Sequence, residues 1–223
     1  MTGRFKQQNS NQEAKNKKEC MSKFLSMGNY EEKRYGFIAS FFKDTNGKFL
    51  DVGCHKGTLR NHLNPNLEYF GVNGMDNNFK NYIKVDLNTK KLPIADKEFE
   101  AINCTAVLEH LFYPLNVLKE MKRILKDEGI ILISLPNDKS LNALFSQLFV
   151  DIKPYDDNIY GHHWKFSIKT AREFFEKEFK IIKEAPEFGP LFRKYLPFLK
   201  FKIFCTEWFM LGVKKKPWKV RRY

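Results

Sequence analysis

The sequence predicts an α/β fold in which a doubly wound sheet of seven strands carries helices on both faces. Its 223 residues suffice for one medium domain with a buried core. Apolar residues make up 43% of the chain and aromatic residues 15%, which is typical of a globular protein. Between residues 47 and 213, short apolar runs alternate with amphipathic stretches. This alternation favours βαβ units with right-handed crossovers, and therefore a mainly parallel sheet.

Apolar runs predict the strands, and amphipathic stretches predict the helices between them. The run Ile130–Leu135 is almost continuously apolar, which suits a strand buried on both faces. Ser167 and Thr170 offer capping side chains at the start of a helix. The predicted strands are Lys48–Val52, Glu68–Asn73, Tyr82–Val85, Phe99–Cys104, Ile130–Leu135, Phe179–Lys183 and Ile203–Val213. The predicted helices are Thr58–Leu63, Pro114–Lys126, Ser140–Phe149 and Ser167–Glu178.

The chain divides into four predicted segments. Residues 1–20 mix Gln, Asn, Lys and Glu without apolar periodicity, which predicts a flexible basic arm. Residues 21–46 carry apolar side chains at helical spacing, with a break at Gly28-Asn29 and a closing turn at Asn46-Gly47. The α/β domain spans residues 47–213, and residues 214–223 form a basic tail.

The formal net charge of +13 is compatible with a nucleic acid, an anionic membrane or an acidic substrate as partner. Residues 51–150 nevertheless carry twelve basic and twelve acidic side chains, so the middle of the chain is neutral. From residue 188 to residue 223, ten Lys and Arg residues face a single acidic residue, Glu207. We therefore expect any peripheral contact with a membrane or another anionic surface through residues 188–223, and nucleic acid is the less favoured partner.

Cysteine usage and hydropathy indicate a cytoplasmic protein that is soluble or at most peripheral to a membrane. The four cysteines are scattered without a CxxC pair, so neither a zinc ribbon nor a disulfide framework is predicted. Residues 1–19 lack the apolar core of a signal peptide. Lysine and glutamate side chains interrupt the C-terminal apolar run before it reaches the length of a membrane span.

The most informative motif is Asp51-Val52-Gly53-Cys54-His55-Lys56-Gly57, which follows a predicted buried strand. Glycines at the carboxyl edge of a parallel sheet let a ligand approach the backbone. A dinucleotide fingerprint would require glycine at position 55 and again at position 58, where this chain has histidine and threonine. The motif therefore disfavours NAD as the ligand.

In this motif the chain resembles the class I S-adenosylmethionine (SAM)-dependent methyltransferases, whose first motif ends a strand with an acidic residue and Gly-x-Gly-x-Gly. The resemblance continues in order over residues 47–137, and more weakly to about residue 185. It implies a Rossmann-like sheet whose last strand is antiparallel. The further matching segments are Tyr69–Asn73, Val85-Asp86-Leu87, Leu92-Pro93, Lys97–Ile102, Ala106–Leu111, Met121–Gly129 and Leu135-Pro136-Asn137.

The resemblance implies SAM as cofactor and assigns a set of residues to it. Asp51 would lie next to the methionine end of SAM, and Asn73 stands where the family usually has an acidic residue for the ribose hydroxyls, with Asp76 nearby as a substitute. Asp86 takes the place of the residue that contacts the adenine. The expected cofactor-binding residues are Asp51, Gly53, Cys54, His55, Gly57, Asn73, Asp86, Leu87 and Cys104.

The expected acceptor site lies in the segments that surround the same sheet edge. His110 is the candidate catalytic base, because a neutral imidazole can take a proton from a hydroxyl acceptor. The helices of residues 21–46 and the loop of residues 151–166 would form a lid and the acceptor pocket. No metal is predicted, since His162-His163 has no carboxylate at ligand spacing. The expected pocket residues are Tyr155, Tyr160, His162, His163 and Trp164.

The resulting hypothesis is a SAM-dependent methyltransferase for a small-molecule, sugar or lipid-linked acceptor, with O-methylation preferred. The alternative is an RNA-directed methyltransferase, or a nucleic-acid-binding module on a degenerate methyltransferase fold. Two routes of base methylation are disfavoured, because the chain lacks a proline beside Cys104 and the Pro-Pro-aromatic run after Asn103.

Overall fold

A computed structural model of the chain describes residues 30–89, 91–141, 143, 161–187 and 205–215. Within them, a seven-stranded sheet has the order β3-β2-β1-β4-β5-β7-β6. Strand β7 runs antiparallel to both of its neighbours, while the pairs from β3 to β5 are parallel. The strands are β1 Gly47–Val52, β2 Leu67–Asn73, β3 Tyr82–Lys84, β4 Phe99–Thr105, β5 Leu125–Pro136, β6 Phe179–Glu187 and β7 Glu207–Lys214. This sheet confirms the predicted fold class, including the antiparallel last strand.

Helices cover both faces of the sheet. Helix α1 spans residues 30–39 and continues into the 3₁₀ turn Ser40–Phe42. Helix α2 is Pro114–Ile124, and α3 is Ile168–Phe175. The predicted cap of α3 is present, because Ser167 and Thr170 form a reciprocal capping box. Further 3₁₀ turns occupy Thr58–Asn61 and Leu108–His110.

Two apolar clusters hold these layers together. Helices α2 and α3 pack on one face, where the larger cluster includes Leu118 and Phe175. Residues of the α1 segment pack on the other face, where Ile38, Phe41 and Phe42 join a second cluster with strand residues. The apolar residues of the described part of the expected lid segment therefore cover a sheet face. Residues 21–29 of that segment lie outside the described residues.

Two strands extend beyond their predicted bounds. Strand β5 begins at Leu125, which pairs with Phe99, so the prediction of a helix as far as Lys126 is wrong for Leu125 and Lys126. Strand β6 continues to Glu187 through Pro186, which is compatible with an edge strand because proline lacks only the amide donor.

The predicted helix Thr58–Leu63 is only a 3₁₀ turn, ending where the His62 amide donates to the Leu59 carbonyl. The Asn64 side chain then donates to the carbonyls of Phe42 and Thr45, which turns the chain toward β2. The predicted helix Ser140–Phe149 is helical at residues 141 and 143, and its remainder lies outside the described residues. The start of the predicted last strand, at residues 203–204, also lies outside them. Among the described helices, none is long and apolar enough to cross a membrane.

Candidate active site

The loop after β1 makes a tight turn at the carboxyl edge of the sheet. The amides of Gly53 and Cys54 both donate to the Val72 carbonyl, and the Gly57 amide donates to the Cys54 carbonyl at 2.7 Å. Gly53 and Gly57 adopt left-handed φ angles of 75° and 70°. His55, which replaces the expected glycine, keeps a left-handed φ of 46°. His55 therefore keeps the left-handed backbone conformation that glycine favours, although it carries a side chain.

Close packing explains why glycine is needed at position 53. A Cβ atom built there would lie 2.3 Å from Cγ2 of Val107, which follows β4. A Cβ on Gly57 would lie 2.9 Å from the Phe79 ring. The two glycines thus let the loop lie directly against neighbouring side chains at the edge.

Asp51 lies in the buried part of β1, one residue before the strand ends, and is the centre of a polar cluster. Its carboxylate accepts from the Tyr69 hydroxyl at 2.7 Å and from Asn103 Nδ2 at 2.8 Å. Burial raises the pKa of Asp51 to about 6, although these two hydrogen bonds act to lower it. Asn103 Oδ1 is buried and has no hydrogen-bond partner among the described residues. The cluster therefore presents two acceptor groups and little compensating positive charge.

The other expected cofactor residues lie along the same edge and differ in exposure and in hydrogen bonding. The side chain of Asn73, at the end of β2, accepts from the Gly74 amide at 2.7 Å. Asp86 accepts from the Asn88 amide at 2.9 Å and is exposed, whereas Leu87 is buried. Asp76, the expected substitute for an acidic residue at position 73, instead pairs on the surface with Lys84.

The two cysteines of the expected site have buried thiols. Burial raises the pKa of Cys54 to about 12, so the thiol is protonated at neutral pH. Cys104 is fully buried in the larger apolar cluster, and burial raises its pKa well above the ordinary value. A thiolate nucleophile at Cys104 is therefore disfavoured, and its side chain packs in the core rather than toward the edge.

The chain leaves β4 through a strained residue. Ala106 has a left-handed φ of 55°, and its amide donates to the Ser134 hydroxyl at 3.0 Å. The Ser134 hydroxyl in turn donates to Glu207. Strain of this kind costs free energy and is concentrated at functional sites. Here it directs Val107 onto Gly53 and leads into the 3₁₀ turn Leu108–His110.

That turn places a buried carboxylate beside two histidines. Glu109 is 3% exposed, and burial raises its pKa to about 7. Its Oε1 lies 3.9 Å from Nε2 of His110, and its Oε2 has no hydrogen-bond partner among the described residues. The rings of His110 and His162 meet edge to face with centroids 4.8 Å apart. Burial, and then the charge of His110, lower the pKa of His162.

The histidine loop is fixed over this turn by backbone hydrogen bonds. The amides of His163 and Trp164 both donate to the Glu109 carbonyl, at 2.8 and 3.2 Å. Trp164 Nε1 donates to the Leu111 carbonyl, and the His163 ring stacks on Phe112. Residues 161–166 of this loop thus lie against the turn that follows β4. Tyr155 and Tyr160 lie outside the described residues.

Helix α1 reaches the same edge through Arg34. Its guanidinium donates to Glu187 Oε2 and to Glu207 Oε1, each at 2.9 Å. Glu187 is fully buried at the end of β6, and Glu207 begins β7. Arg34 thereby fastens the N-terminal helix to the two strands that close the sheet.

Sequence reasoning missed three parts of this site. Asn103 carried a signal, because a polar residue inside the apolar run Ala101–Cys104 calls for a buried partner. The sequence contained no mark of the burial of Glu109, which depends on a loop more than 50 residues further along the chain. The Arg34 network was also missed, since its members are separated by 153 and 173 residues.

A family model described as a methyltransferase domain matches residues 27–179. An uncharacterised protein of Methanocaldococcus jannaschii is 34% identical over 107 residues, which are 47% of this chain and 46% of that protein. The match thus spans about half the length of this curated relative.

Solved structures show the same fold at low sequence identity. A SAM-dependent methyltransferase from Archaeoglobus fulgidus is 18% identical, with a TM-score of 0.62 over 84% of this chain and 94% of that one. The 1,6-didemethyltoxoflavin-N1-methyltransferase of Burkholderia thailandensis, solved with 1,6-didemethyltoxoflavin and S-adenosylhomocysteine, is 11% identical, with a TM-score of 0.57 over 82% of this chain and 77% of that one. The [4+2]-cyclase SpnF is 13% identical with a TM-score of 0.57, over 81% and 80% of the chains.

The cyclase shows that the fold alone does not fix the reaction. The family model carries more weight, because it covers more than half of the chain and includes the glycine loop, Asp51 and the Glu109 turn. The chain therefore belongs to the methyltransferase domain family.

Proposed function

We propose that this chain binds SAM at the carboxyl edge of the sheet and methylates a hydroxyl group of a small-molecule, sugar or lipid-linked acceptor. The observation that carries the proposal is the Gly53–Gly57 loop beside the buried Asp51–Asn103 pair. Open α/β sheets bind their ligands at this edge, where strand order reverses between β1 and β4.

The polar cluster fits the methionine end of SAM, which carries an ammonium group. The Asp51 carboxylate and the unpartnered Oδ1 of Asn103 are both hydrogen-bond acceptors. An ammonium donor would satisfy both and would offset the cost of the buried carboxylate. A bound pyrophosphate would instead meet a carboxylate, so the same cluster disfavours a dinucleotide.

The rest of the cofactor would follow the edge from β2 to the segment after β3. Asn73 is proposed to face the ribose with its side-chain amide, since its Oδ1 is engaged by Gly74. Asp86 and Leu87 are proposed to border the adenine. Nearer the loop, the backbone of Cys54 and the ring of His55 are proposed to border it as well. When bound, SAM supplies a methyl group that is already activated on a sulfonium.

The acceptor is proposed to bind against the aromatic rim beside His110. Phe112, Tyr113 and Trp164 are exposed by 59, 62 and 46%, which is unusual for side chains of this size. Flat apolar surfaces around a few polar groups suit a small ring or a sugar. His162 and His163 complete the rim on the loop side.

His110 is proposed to take the proton of the acceptor hydroxyl. Its Nδ1 lies 3.3 Å from the Gly161 carbonyl, so the proton of a neutral ring belongs on Nδ1. Nε2 is then the free acceptor and faces the Glu109 carboxylate. Glu109 would stabilise the imidazolium that forms. The remaining task of the protein is to align the acceptor and exclude water.

Calorimetric titration of the full chain with SAM and S-adenosylhomocysteine tests the cofactor assignment. We expect one molecule bound per chain, and Gly53→Ala should abolish binding because its Cβ would displace Val107. Binding that is absent at millimolar ligand would refute the proposal.

Methyl-labelled SAM tests the acceptor class when it is incubated with fractionated cell extract. Label in the small-molecule, sugar or lipid fraction is expected, and its stability to hydrolysis identifies an ether. Label confined to RNA would refute this acceptor class and favour the RNA-directed alternative.

A cytoplasmic reaction next to a membrane is proposed from the basic C-terminal region. Most of residues 188–223 lies outside the described residues, and Glu207–Lys214 within it forms a sheet strand. Sedimentation with vesicles that contain anionic lipid should carry the chain down at low salt and release it at high salt. Chain that stays in the supernatant at low salt would remove this part of the proposal.

A further inference from the structure

We infer that Glu109, His110 and His162 form a binding site for a divalent transition-metal ion. Among the described residues, each of the three offers one ligand atom, and these atoms lie within 4.8 Å of one another. Two imidazole nitrogens and a carboxylate oxygen are a donor set that zinc and related ions bind, whereas magnesium and calcium prefer oxygen ligands alone.

The buried carboxylate is the first independent observation. The Glu109 side chain is 4% exposed, and its Oε2 has no hydrogen-bond partner among the residues described. Within the described residues, the Glu109 carboxylate pairs with His110, at 3.9 Å, and not with a lysine or arginine. A buried carboxylate oxygen without a donor is costly, and a bound cation removes that cost.

The hydrogen bonding of His110 is the second observation. Nδ1 of His110 lies 3.3 Å from the Gly161 carbonyl, and Nε2 faces Glu109. Histidines that bind metals commonly donate the other ring N–H to a backbone carbonyl, which fixes the tautomer and the ring orientation. The outer contact that a metal ligand requires is therefore already in place.

The third ligand lies on a loop that is anchored at both ends. The Glu109 carbonyl holds the amides of His163 and Trp164, while Asp138 exchanges backbone and side-chain hydrogen bonds with Phe166. Bonds of about 2 Å place the ligand atoms of a tetrahedral zinc ion about 3.3 Å apart. No two of the three ligand atoms are more than 4.8 Å apart, so no pair has to close by more than about 1.5 Å, which a rotation of the exposed His162 side chain supplies.

Three protein ligands leave a position open, as in catalytic zinc sites. His110 is partly exposed and His162 is exposed, so this position faces solvent beside the aromatic rim. An acceptor hydroxyl can bind there, and an ion lowers the pKa of a bound oxygen acid. The same Nε2 lone pair cannot serve as both base and ligand, so a bound ion would replace the role of His110 as base in the proposed function. The ion site stands alone, and only the role of its open position rests on the proposed function.

Zinc titration of the metal-free full chain without a histidine tag tests the inference. We expect one saturable zinc ion per chain, with an affinity that falls at least about tenfold in His162→Asn and in Glu109→Gln. His163→Asn is the matched control, because His163 is the neighbouring histidine and stacks on Phe112 outside the ligand group. Zinc held elsewhere, for example by cysteine, is common to all three variants and cancels in the comparison.

The outcomes are separable from those of the proposed function. No saturable zinc binding, or an equal loss of affinity in His163→Asn and His162→Asn, would overturn the metal site. Glu109→Gln is checked by circular dichroism, and His162→Asn carries the test alone if Glu109→Gln fails to fold. SAM binding is measured on the same metal-free protein. Zinc without SAM binding would refute the proposed function only, and SAM without zinc binding would refute this inference only.

Discussion

Asp51 is a buried carboxylate whose stability cost can be measured through its titration. Its pKa in the folded chain is about 6, because burial outweighs the hydrogen bonds from Asn103 and Tyr69. In the unfolded chain an aspartate titrates near pH 4. Between these values the folded state holds a proton that the unfolded state has lost. The free energy of unfolding therefore falls as the pH rises through this window.

Replacing Asp51 with asparagine removes this titration while keeping the size of the side chain. A shift of about two units corresponds to a total of about 3 kcal/mol, of which about 2 kcal/mol falls between pH 4 and pH 7. The unfolding free energy of Asp51→Asn relative to that of the wild type should therefore rise by about 2 kcal/mol from pH 4 to pH 7. An imperfect fit of the new amide to Tyr69 and Asn103 shifts both values equally and leaves this difference intact.

Urea denaturation at pH 4, 5, 6 and 7, followed by tryptophan fluorescence, measures the difference. Asp44→Asn is the matched control, because the Asp44 side chain is 87% exposed and its replacement should leave the pH dependence unchanged. A relative stability that stays constant from pH 4 to pH 7 would refute the argument from burial. In calorimetry, Asp51→Asn should also weaken SAM binding about 10- to 100-fold, since a charge-assisted hydrogen bond contributes about 1.5–3 kcal/mol.

Three further substitutions test other parts of the site. In urea denaturation, Gly53→Ala should lower the unfolding free energy by about 1–3 kcal/mol through overpacking on Val107, and adding Val107→Ala to the same chain should restore part of this loss. An unfolding free energy that does not change in Gly53→Ala would contradict the close approach of position 53 to Val107. His55→Gly should change the unfolding free energy by less than about 1 kcal/mol, because relief of the left-handed strain offsets the greater entropy of glycine in the unfolded chain. Calorimetry should show that this variant keeps its SAM affinity within a few-fold, and a tenfold loss of affinity would mean that the imidazole contacts the ligand. In urea denaturation, Arg34→Met should lower the unfolding free energy by about 3 kcal/mol, because Glu187 and Glu207 lose their ion pairs with the guanidinium. Lys169→Met removes an exposed ion pair and should lower it by almost nothing, so equal losses in the two variants would show that the buried network adds no stability.

The sheet was predictable because its signals are local. Each strand from β1 to β4 begins and ends within one residue of its apolar run, since a buried parallel strand has few polar positions. The start of β5 was not predictable in the same way. Residues 126–128 are charged and exposed, and only pairing of Leu125 with Phe99 makes them part of the strand.

The same distinction holds for the candidate site, because its local features were predictable from the sequence and its tertiary contacts were not. The glycine loop and Asp51 lie within one short segment, so their pattern and spacing are visible in the sequence. The burial of Glu109 is a tertiary effect, produced when the His162 loop docks on the Leu108–His110 turn. The sequence therefore suggested no carboxylate partner for the histidines, and the prediction of no metal was drawn from spacing along the chain alone.

Three acidic residues in the described part of the chain are buried, although the chain carries a net charge of +13. Asp51, Glu109 and Glu187 all lie at the carboxyl edge, and each is at most 5% exposed. Glu187 is matched within the chain by the Arg34 guanidinium, so its role is structural. Asp51 and Glu109 are not paired with a lysine or arginine in the described part of the chain. We propose the ammonium of SAM as the ligand of Asp51 and a divalent metal ion as the ligand of Glu109, and each should raise stability independently of the other because the two carboxylates bind different ligands.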